Sequence, residues 1–361
     1  MRPFPRAVVC VPARDEERCL PRLLRSLADQ DGIAVDAPLR VLIVANNCSD
    51  GTVAAVRAMQ AAGSAPALAI RIVEAHLTGA EAHVGTARRM ALDAGAAWLD
   101  ADGCPDGVLL TTDADARVPR DWLAANLRAL EGAEIVGGRL VIDPEAAIDP
   151  ALADLHRRIE RYWASVRRIE DALDPPPHDP TPRHGDHTGA SLALGAALYR
   201  SVGGLPALPR GEDNALVARV REAGGRLRHC PDVSVLVSDR AAGRAQGGMA
   251  TEMVRRAAAV RAGLPYRLPA PRHWERVIAR RAALRRAWNE TRGPARRAAL
   301  AAFGLAEADL AAIDPEACVN DIAFVERANP FCEAADGPAP EVELDAALAG
   351  FDAILRPSAA A

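Results

Sequence analysis

The sequence predicts a doubly wound α/β domain over residues 1 to about 130, and three observations support this. Short, nearly continuous apolar runs recur along this part of the chain, as expected for strands buried on both faces of a sheet. Helical patterns separate the runs, so the strands should be parallel and joined by right-handed crossovers. Polar clusters follow three of the four runs, and ligands bind such sheets at the carboxyl ends of the strands.

The elements follow in order along the chain. The predicted strands are Ala7–Pro12, Leu39–Ala45, Ala69–Glu74 and Gly107–Thr112. The predicted helices between them are Glu16–Ala28, Thr52–Ala62 and Gly85–Trp98. An Arg-rich helical pattern then spans Leu152 to Leu173. The Pro-rich stretch from Asp174 to Gly189 is incompatible with regular structure, and we expect a mobile loop over the site.

Composition excludes several classes of function. The chain has 361 residues, 50% hydrophobic and 25% charged, which is typical of a globular protein. A net charge of -4 argues against a nucleic-acid partner, and the absence of lysine excludes Schiff-base and Walker-type chemistry. Seven scattered cysteines without a CxxC pair are typical of reduced thiols, and no apolar run suits a signal peptide or a membrane span. We therefore expect a cytoplasmic protein.

The three strand ends should converge on one crevice. They carry Pro12–Glu17, Asn46–Thr52 and the pair Asp113 and Asp115. Two carboxylates one residue apart repel each other unless a cation lies between them, and hard oxygen ligands suit Mg²⁺ or Mn²⁺. Such an ion can stabilise a departing diphosphate as a Lewis acid. Two alternatives remain: Asp113 caps a helix beginning near Pro119, or the pair belongs to a polar loop.

An ordered set of motifs over about residues 6 to 240 resembles family 2 glycosyltransferases of the GT-A fold. The motifs are VVCVPARDEERCLPRLLRSL, VLIVANNCSDGT, VGTARRMALDAG, LLTTDADARVPRDWL, TGASLALGAALYRSVGGL and GEDNALVARV. The resemblance implies a mixed sheet flanked by helices and a nucleotide-sugar donor. It also implies metal-assisted transfer of the sugar, with inversion, onto a hydroxyl-type acceptor. Because the QxxRW pattern of processive members is missing, a single transfer is expected.

The resemblance assigns roles to two acidic motifs. Asp113 and Asp115 match the family's metal-binding pair, with Mn²⁺ or Mg²⁺ as the ion. Asp213 matches the catalytic base, and Glu212 beside it is a second catalytic candidate. A carboxylate suits this role, because it takes the acceptor's proton and stabilises positive charge at the anomeric carbon. Both acids also suit the start of the helix that follows, and the two interpretations are compatible.

Donor binding is assigned to residues around these strand ends. Asn46 and Asn47 replace the acidic residues that contact the base in many relatives, so UDP-linked and GDP-linked donors both remain open. Asp50 matches an Asp that the family retains and is an expected donor contact, although it also suits a helix cap. Arg88 and Arg89 lie where relatives place a basic side chain near the ribose or diphosphate; Arg88 is the expected contact, and one residue of the pair should be a solvated helix residue. The remaining expected donor contacts are Pro12, Arg14, Glu16, Ala114, Gly189, Ala190 and Arg244.

Three side chains beyond this set leave their roles open. His184 and His187 could bind the acceptor or add a metal ligand, but three residues of spacing in a loop is a poor metal signature, and a structural role is favoured. Arg240 lies with Arg244 beside glycines, in a stretch that could clamp a phosphate.

The resemblance fades beyond about residue 250, so we divide the chain into a catalytic domain at 1–250 and a mainly helical extension at 251–361. Residues 265–300 contain ten Arg and two Glu, whereas residues 305–352 contain twelve acidic residues and one Arg. These segments should pair within the chain or across a homodimer. The alternative is a basic amphipathic helix, with Trp274 and Val277 on its apolar stripe, docking on the inner face of a membrane.

Two other functions stay open for the whole chain. One is nucleotidyl transfer on a similar sheet, and the other is a catalytically silent protein that binds nucleotide sugars. The acceptor is not specified by the sequence.

Overall fold

A computed structural model describes residues 6–144, 148–237 and 249–356 of the chain. The strands are β1 Ala7–Ala13, β2 Leu39–Asn46, β3 Leu68–Ala75, β4 Val108–Thr111, β5 Ile135–Ile142, β6 Leu192–Gly195, β7 Leu227–Val237, β8 Arg267–Pro269 and β9 Glu341–Glu343. The α-helices are α1 Leu20–Ala28, α2 Thr52–Ala61, α3 Val84–Ala101, α4 Trp122–Ala129, α5 Pro150–Leu173, α6 Ala196–Ser201, α7 Glu212–Glu222, α8 Met249–Ala262, α9 Pro271–Glu290, α10 Gly293–Ala301, α11 Glu307–Ile313, α12 Asp321–Asp336 and α13 Leu344–Ile354.

A seven-stranded mixed sheet organises the first part of the chain, in the order β3-β2-β1-β4-β6-β5-β7. Strands β3, β2, β1 and β4 run parallel to one another, whereas β6 runs antiparallel to both β4 and β5. The predicted α/β class, with a mixed sheet flanked by helices, is confirmed. Cys10 of β1 pairs with Thr111, the last residue of β4, and β1 continues to Ala13, so the two parallel strands end toward the same edge of the sheet.

Both faces of this sheet are covered, which explains the continuous apolar runs. Side chains alternate between the faces along β1. Val9 packs in one buried cluster with Leu24 of α1, and Val8 packs in another with Leu92 of α3. Cys10 lies in the second cluster, where burial raises the pKa of its thiol well above the usual value.

The first helix begins later than the sequence predicts. Helical periodicity indicates a start at Glu16, but α1 begins at Leu20. Asp15 adopts a positive φ of 51°, and the Glu16 amide donates to the Thr52 hydroxyl at 2.7 Å. The segment before Leu20 is therefore a turn bonded to the start of α2, the helix that follows β2. This difference places Asp15 and Glu16 at the edge of the sheet.

The described residues form two compact units. The first contains residues 6–144, 182–220 and the described part of 226–252. The second contains residues 148–181, 221–225 and 253–356. The predicted domain boundary at residue 250 stays a prediction.

Helices build most of the second unit. The apolar stripe of α9 is buried there, with Val277 3%, Ile278 4% and Leu284 0% exposed. At its start, the indole Nε1 of Trp274 donates to the Tyr162 hydroxyl at 2.6 Å, and that hydroxyl donates to the Pro269 carbonyl at 2.6 Å. Burial raises the pKa of Tyr162 to about 12, so its proton stays in place.

Ion pairs join the basic and acidic segments of the second unit. Arg297 contacts Glu307 at 2.7 Å, and Arg285 contacts Asp321. Arg161 of α5 contacts Asp352 at 3.0 Å. The oppositely charged segments thus pair within one chain, as one of the two predicted arrangements requires. Among the described residues, no helix combines the length and the apolar character needed to cross a bilayer.

Candidate active site

The loops after β1 and β2 interlock. The Asp15 carboxylate accepts from the Ser49 amide at 2.6 Å, and this contact lowers the pKa of Asp15. The Asp50 carboxylate accepts from the Glu17 amide at 3.1 Å and from the Thr52 amide at 2.9 Å. Asp50 therefore bonds the first residue of α2 from the position before the N-cap, which is Gly51. Its role in donor binding stays a prediction.

The two asparagines after β2 differ in environment. Asn46 is 4% exposed and pairs with Ala75 at the end of β3. The Asn47 side chain donates to the Leu77 carbonyl at 2.9 Å and accepts from the Leu77 amide at 3.1 Å. The Asn47 amide group is thus bonded to the chain that follows β3.

Arg88, the fifth residue of α3, lies at the centre of the candidate site. Its side chain is 4% exposed, and its Nη2 donates to Asp113 Oδ1 at 2.7 Å. Its Nε donates to Glu212 Oε1 at 3.2 Å. Burial alone lowers the pKa of Arg88, but the charges of Asp113 and Glu212 more than offset this, so the net pKa lies above the ordinary value. The guanidinium is therefore a fixed positive charge between two acidic segments.

Glycine contacts explain how α7 reaches this arginine. A Cβ on Gly85 would lie 2.0 Å from the Leu208 carbonyl oxygen, so only glycine allows the loop before α7 to approach α3 this closely. Gly211 then adopts a positive φ of 70° just before the helix begins. Glu212 and Asp213 occupy the first turn of α7, as predicted, where acids interact favourably with the helix dipole.

Asp213 is bound to the chain segment around Gly189. Its Oδ2 accepts from the Gly189 amide at 2.9 Å, and its Oδ1 accepts from the Asn214 amide at 2.8 Å. The Gly189 carbonyl in turn accepts from Arg88 Nη1 at 2.7 Å. The structure thus brings Asp113, Glu212 and Asp213 together around Arg88 and Gly189.

Asp113 does not cap the following helix. The residue at the N-cap of α4 is Asp121, so the capping alternative for Asp113 is wrong. Arg88 holds one oxygen of the Asp113 carboxylate, and the side chain is 39% exposed. Asp115 is half-buried two residues later. An accessible carboxylate beside a second one is a donor set of the hard oxygen type that Mg²⁺ and Mn²⁺ prefer, so these residues fit the expected ion.

A second acidic group contains a thiol. Ligand atoms of Asp15, Cys48 and Asp50 lie within 4.8 Å of one another. Burial raises the pKa of Cys48, which disfavours the thiolate that a metal ion binds. The pair Asp113 and Asp115 therefore remains the better candidate for a hard cation.

The other predicted donor residues have different exposures. Pro12 is buried within β1, and Arg14 after it is exposed. Glu16 is 9% exposed, and Ala114 and Ala190 are each 5% exposed. Arg89 is exposed and pairs with Asp93 at 3.4 Å, so it is the solvated member of the arginine pair. Arg240 and Arg244 lie outside the described residues.

The two loop histidines join a third one. His187 Nδ1 lies 3.0 Å from His229 Nε2, and the rings of His184 and His229 are 5.6 Å apart. His184 also lies 3.1 Å from the Cys230 carbonyl and accepts from the Asp186 amide. These contacts hold the loop against β7, which agrees with the structural role that the sequence favours.

Thr111 is a site residue that sequence reasoning missed. Its hydroxyl accepts from Arg88 Nη1 at 2.8 Å and lies 3.4 Å from the Gly189 carbonyl. The sequence signal that could have identified Thr111 is a polar residue at the buried end of an apolar strand. Thr188 was also missed; its buried hydroxyl oxygen has no hydrogen-bond partner among the described residues.

Residues 8–172, from β1 to the end of α5, match the model of the family described as glycosyl transferase family 2. The match covers less than half of the chain, and it makes residues 8–172 similar to family 2 glycosyltransferases. Glu212 and Asp213 lie beyond the matched residues. No curated protein matches the sequence of this chain.

Several solved structures are similar to this chain. One is a mannosyltransferase from Pyrobaculum calidifontis in complex with GDP-Man and Mn²⁺, with 22% identity over 92% of this chain and 88% of that one, at a TM-score of 0.45. Another is TarS from S. aureus in complex with UDP-GlcNAc, with 14% identity, 90% and 91% coverage and a TM-score of 0.48. Glucosyl-3-phosphoglycerate synthase from M. tuberculosis has 15% identity, 73% and 82% coverage and a TM-score of 0.40.

Proposed function

We propose that this glycosyltransferase moves a single sugar from a nucleotide-sugar donor to a hydroxyl-type acceptor, with inversion and with the help of Mn²⁺ or Mg²⁺. The observation that carries the proposal is the assembly of Asp113, Glu212 and Asp213 around Arg88 at the carboxyl edge of the sheet. Ligands bind parallel sheets at this edge. The family match supports sugar transfer as the reaction class.

Asp213 is the proposed base. Amides of Gly189 and Asn214 each hold one of its oxygens, so the carboxylate has a fixed orientation at the start of α7. The base takes the acceptor's proton while the acceptor oxygen attacks the anomeric carbon from the face opposite the leaving group. Its negative charge also stabilises the positive charge that develops on the sugar.

Asp113 and Asp115 are the proposed ligands of the cation, with Asp115 the more direct. When bound, the ion supplies Lewis-acid stabilisation of the departing diphosphate. Around it, the chain contributes orientation: Arg88 fixes one Asp113 oxygen and the exposed side of the carboxylate stays accessible. The expected donor contacts at Pro12, Arg14, Glu16, Asn46, Asp50, Ala114, Ala190 and Arg244 belong to this proposal.

Release of nucleoside diphosphate tests the proposal without a known acceptor, because water can act as one. GDP-mannose and UDP-GlcNAc, incubated separately with Mn²⁺, should yield GDP or UDP, and the sugar released first should have the opposite anomeric configuration by proton NMR. Asp213→Asn should reduce turnover by about 10²–10⁴-fold with donor binding retained, because the base acts in the transition state. Asp106→Asn, at an exposed position before β4, is the matched control and should keep full turnover.

The same assay separates the alternatives. A nucleotidyltransferase would release pyrophosphate from a nucleoside triphosphate, and a silent binding protein would bind donors without turnover. Full turnover by Asp213→Asn would remove the proposed base, and retention of the anomeric configuration would contradict inversion.

Peripheral membrane contact and dimerisation are separate proposals about the C-terminal helices. Burial of the α9 stripe and ion pairs within the second unit support internal packing over lipid docking. We expect the protein to stay in the supernatant when vesicles containing anionic lipid are sedimented.

A further inference from the structure

The guanidinium of Arg88 is enclosed by the polypeptide. Its side chain is 4% exposed although α3 carries it at the carboxyl edge of the sheet, where ligands approach. The neighbouring Arg89 side chain is 47% exposed. A side chain that binds donor phosphate must present its N–H groups to the crevice, and Arg88 presents almost none of its surface there.

The N–H groups of Arg88 point to three chain segments. Nε donates to Glu212, Nη2 donates to Asp113, and Nη1 donates both to the Thr111 hydroxyl and to the Gly189 carbonyl. Arginine has five N–H donors in a rigid planar fork, so these four contacts use most of its capacity. The fork therefore sets the relative positions of the segments after β4, before β6 and at the start of α7.

Gly189 is shaped to receive this guanidinium. A Cβ on Gly189 would lie 2.4 Å from Arg88 Cζ and 2.6 Å from Arg88 Nε. Since the Gly189 amide also donates to Asp213, the same residue contacts both the arginine and the proposed base. Any side chain at position 189 would displace the guanidinium, the loop or both.

We infer that Arg88 is a positioning residue that holds the carboxylates of Asp113 and Glu212 and the Gly189 carbonyl in one rigid arrangement, and that it does not bind the donor's phosphates. The inference rests on the proposed function, because it links the proposed cation ligand to the segment that orients Asp213. It replaces the expectation that Arg88 contacts the ribose or diphosphate. It also makes Glu212 a partner of Arg88 rather than a second base.

Arg88→Lys tests the inference, with Arg89→Lys as the matched control on the same helix turn. Lysine keeps the charge but cannot form the planar fork. Two assays are used. Calorimetry gives the dissociation constants of GDP and UDP in EDTA, and steady-state kinetics gives kcat and KM for release of these products from GDP-mannose and UDP-GlcNAc. We expect Arg88→Lys to change metal-free binding and KM by less than about twofold and to lower kcat about 100-fold, as a 1 Å misplacement does. Arg89→Lys should match the wild type in both.

Gly189→Ala provides a second, independent disturbance of the same arrangement. It should lower kcat as Arg88→Lys does. Because both substitutions disrupt the same hydrogen-bond network, kcat of the double variant should be only slightly below that of the slower single variant. If Arg88→Lys does not fold, Gly189→Ala carries the test alone. Metal-free binding weakened tenfold or more by Arg88→Lys would identify a phosphate ligand and overturn the inference. Unchanged kcat in both variants would also overturn it.

A failure of the proposed function is recognised separately. If the wild type turns over neither donor, the proposed function fails, and the arrangement is judged from unfolding alone. Arg88→Met and Glu212→Leu should each lower the melting temperature, because Arg88→Met removes the cation from the buried Glu212 carboxylate and Glu212→Leu removes one of the two carboxylates that pair with buried Arg88. The double variant should then melt above at least one of the single variants. Additive losses would show that Arg88 does not hold Glu212.

Discussion

Gly137→Ala should disturb the site from a distance. Gly137 lies in β5, and its pairing residues include Leu192 of β6 and His229 of β7. A Cβ at this position would lie 2.4 Å from the Asp186 carbonyl oxygen and 2.9 Å from the His187 Cβ. Both contacts are in the loop that leads to Gly189. The substitution therefore pushes on the segment that orients the proposed base.

The structure sets the size of the effect. Ordinary contact begins at 3.4 Å, so the Asp186 carbonyl must retreat by 3.4 minus 2.4, or 1.0 Å. Overpacking of this kind costs about 1–3 kcal/mol of unfolding free energy. The Gly189 amide lies 2.9 Å from Asp213, and a shift of that size removes an effective hydrogen bond. A misplacement of about 1 Å can lower turnover about 100-fold.

Gly195→Ala is the matched control for this prediction. Gly195 lies in β6 with nothing within 4 Å of its added Cβ, and its φ of -67° suits alanine. Unfolding in urea and donor turnover are measured for both variants. The control should match the wild type within about 0.5 kcal/mol, as substitutions away from strained features do. If Gly137→Ala behaves like the control in both assays, the argument from close approach is refuted.

Three further predictions concern stability and surface chemistry. Glu134 accepts three hydrogen bonds from Arg226, and these contacts lower the pKa of Glu134. The pair therefore stabilises the fold above pH 4.5, and this stabilisation is lost as the pH falls through the lowered pKa. Glu134→Gln should cost about 0.2–1 kcal/mol at pH 7 in urea unfolding and nothing near pH 2, whereas an equal loss at both would contradict the pairing. Phe324 is 0% exposed in the second unit, and Phe324→Ala should lower the free energy of unfolding by about 3–5 kcal/mol. A loss below about 1 kcal/mol would show that its cluster is not a packed core. Changing Arg276 and Arg281 to Glu should not alter the fraction of protein that sediments with anionic vesicles. If the wild type binds the vesicles and the variant binds them less, the membrane alternative is favoured.

The local pattern of apolar residues was sufficient to predict the strands in the parallel part of the sheet. Each predicted strand agrees with an observed one to within one residue at its ends, because strands buried on both faces of a doubly wound sheet are recognisable as short continuous apolar runs. The prediction that the sheet is mixed rested on the family resemblance and not on the apolar pattern. Short strands such as β6, Leu192–Gly195, carry too few residues for periodicity to reveal their direction.

The role of Arg88 could not be predicted in the same way. It contacts Glu212 across 124 positions and Gly189 across 101 positions, and a single sequence contains no signal for such pairs. Its burial could have been predicted, because Arg88 falls on one face of α3 with Leu92 and Leu99. The same period places Arg89 on the solvated face. Side-chain direction was thus accessible from the sequence, and side-chain partners were not.

Glu212 and Asp213 illustrate a compatible pair of interpretations. Their place at the start of α7 satisfies the helix-terminus interpretation completely. The Gly189 amide also donates a hydrogen bond to Asp213, and the position of Asp213 at a helix terminus does not by itself explain this contact. The sequence could locate these acids, but only the fold shows which segments surround them.

The central claim is that a cation held by Asp113 and Asp115 binds the diphosphate of the donor. Its most direct test is calorimetric titration of GDP and UDP into the wild type and into Asp115→Asn, each in Mn²⁺ and in EDTA. We expect Mn²⁺ to tighten wild-type binding of one nucleotide at least tenfold, about 1.4 kcal/mol, and Asp115→Asn to abolish this gain. Equal affinity in Mn²⁺ and EDTA for the wild type, or an undiminished gain in the variant, would contradict it.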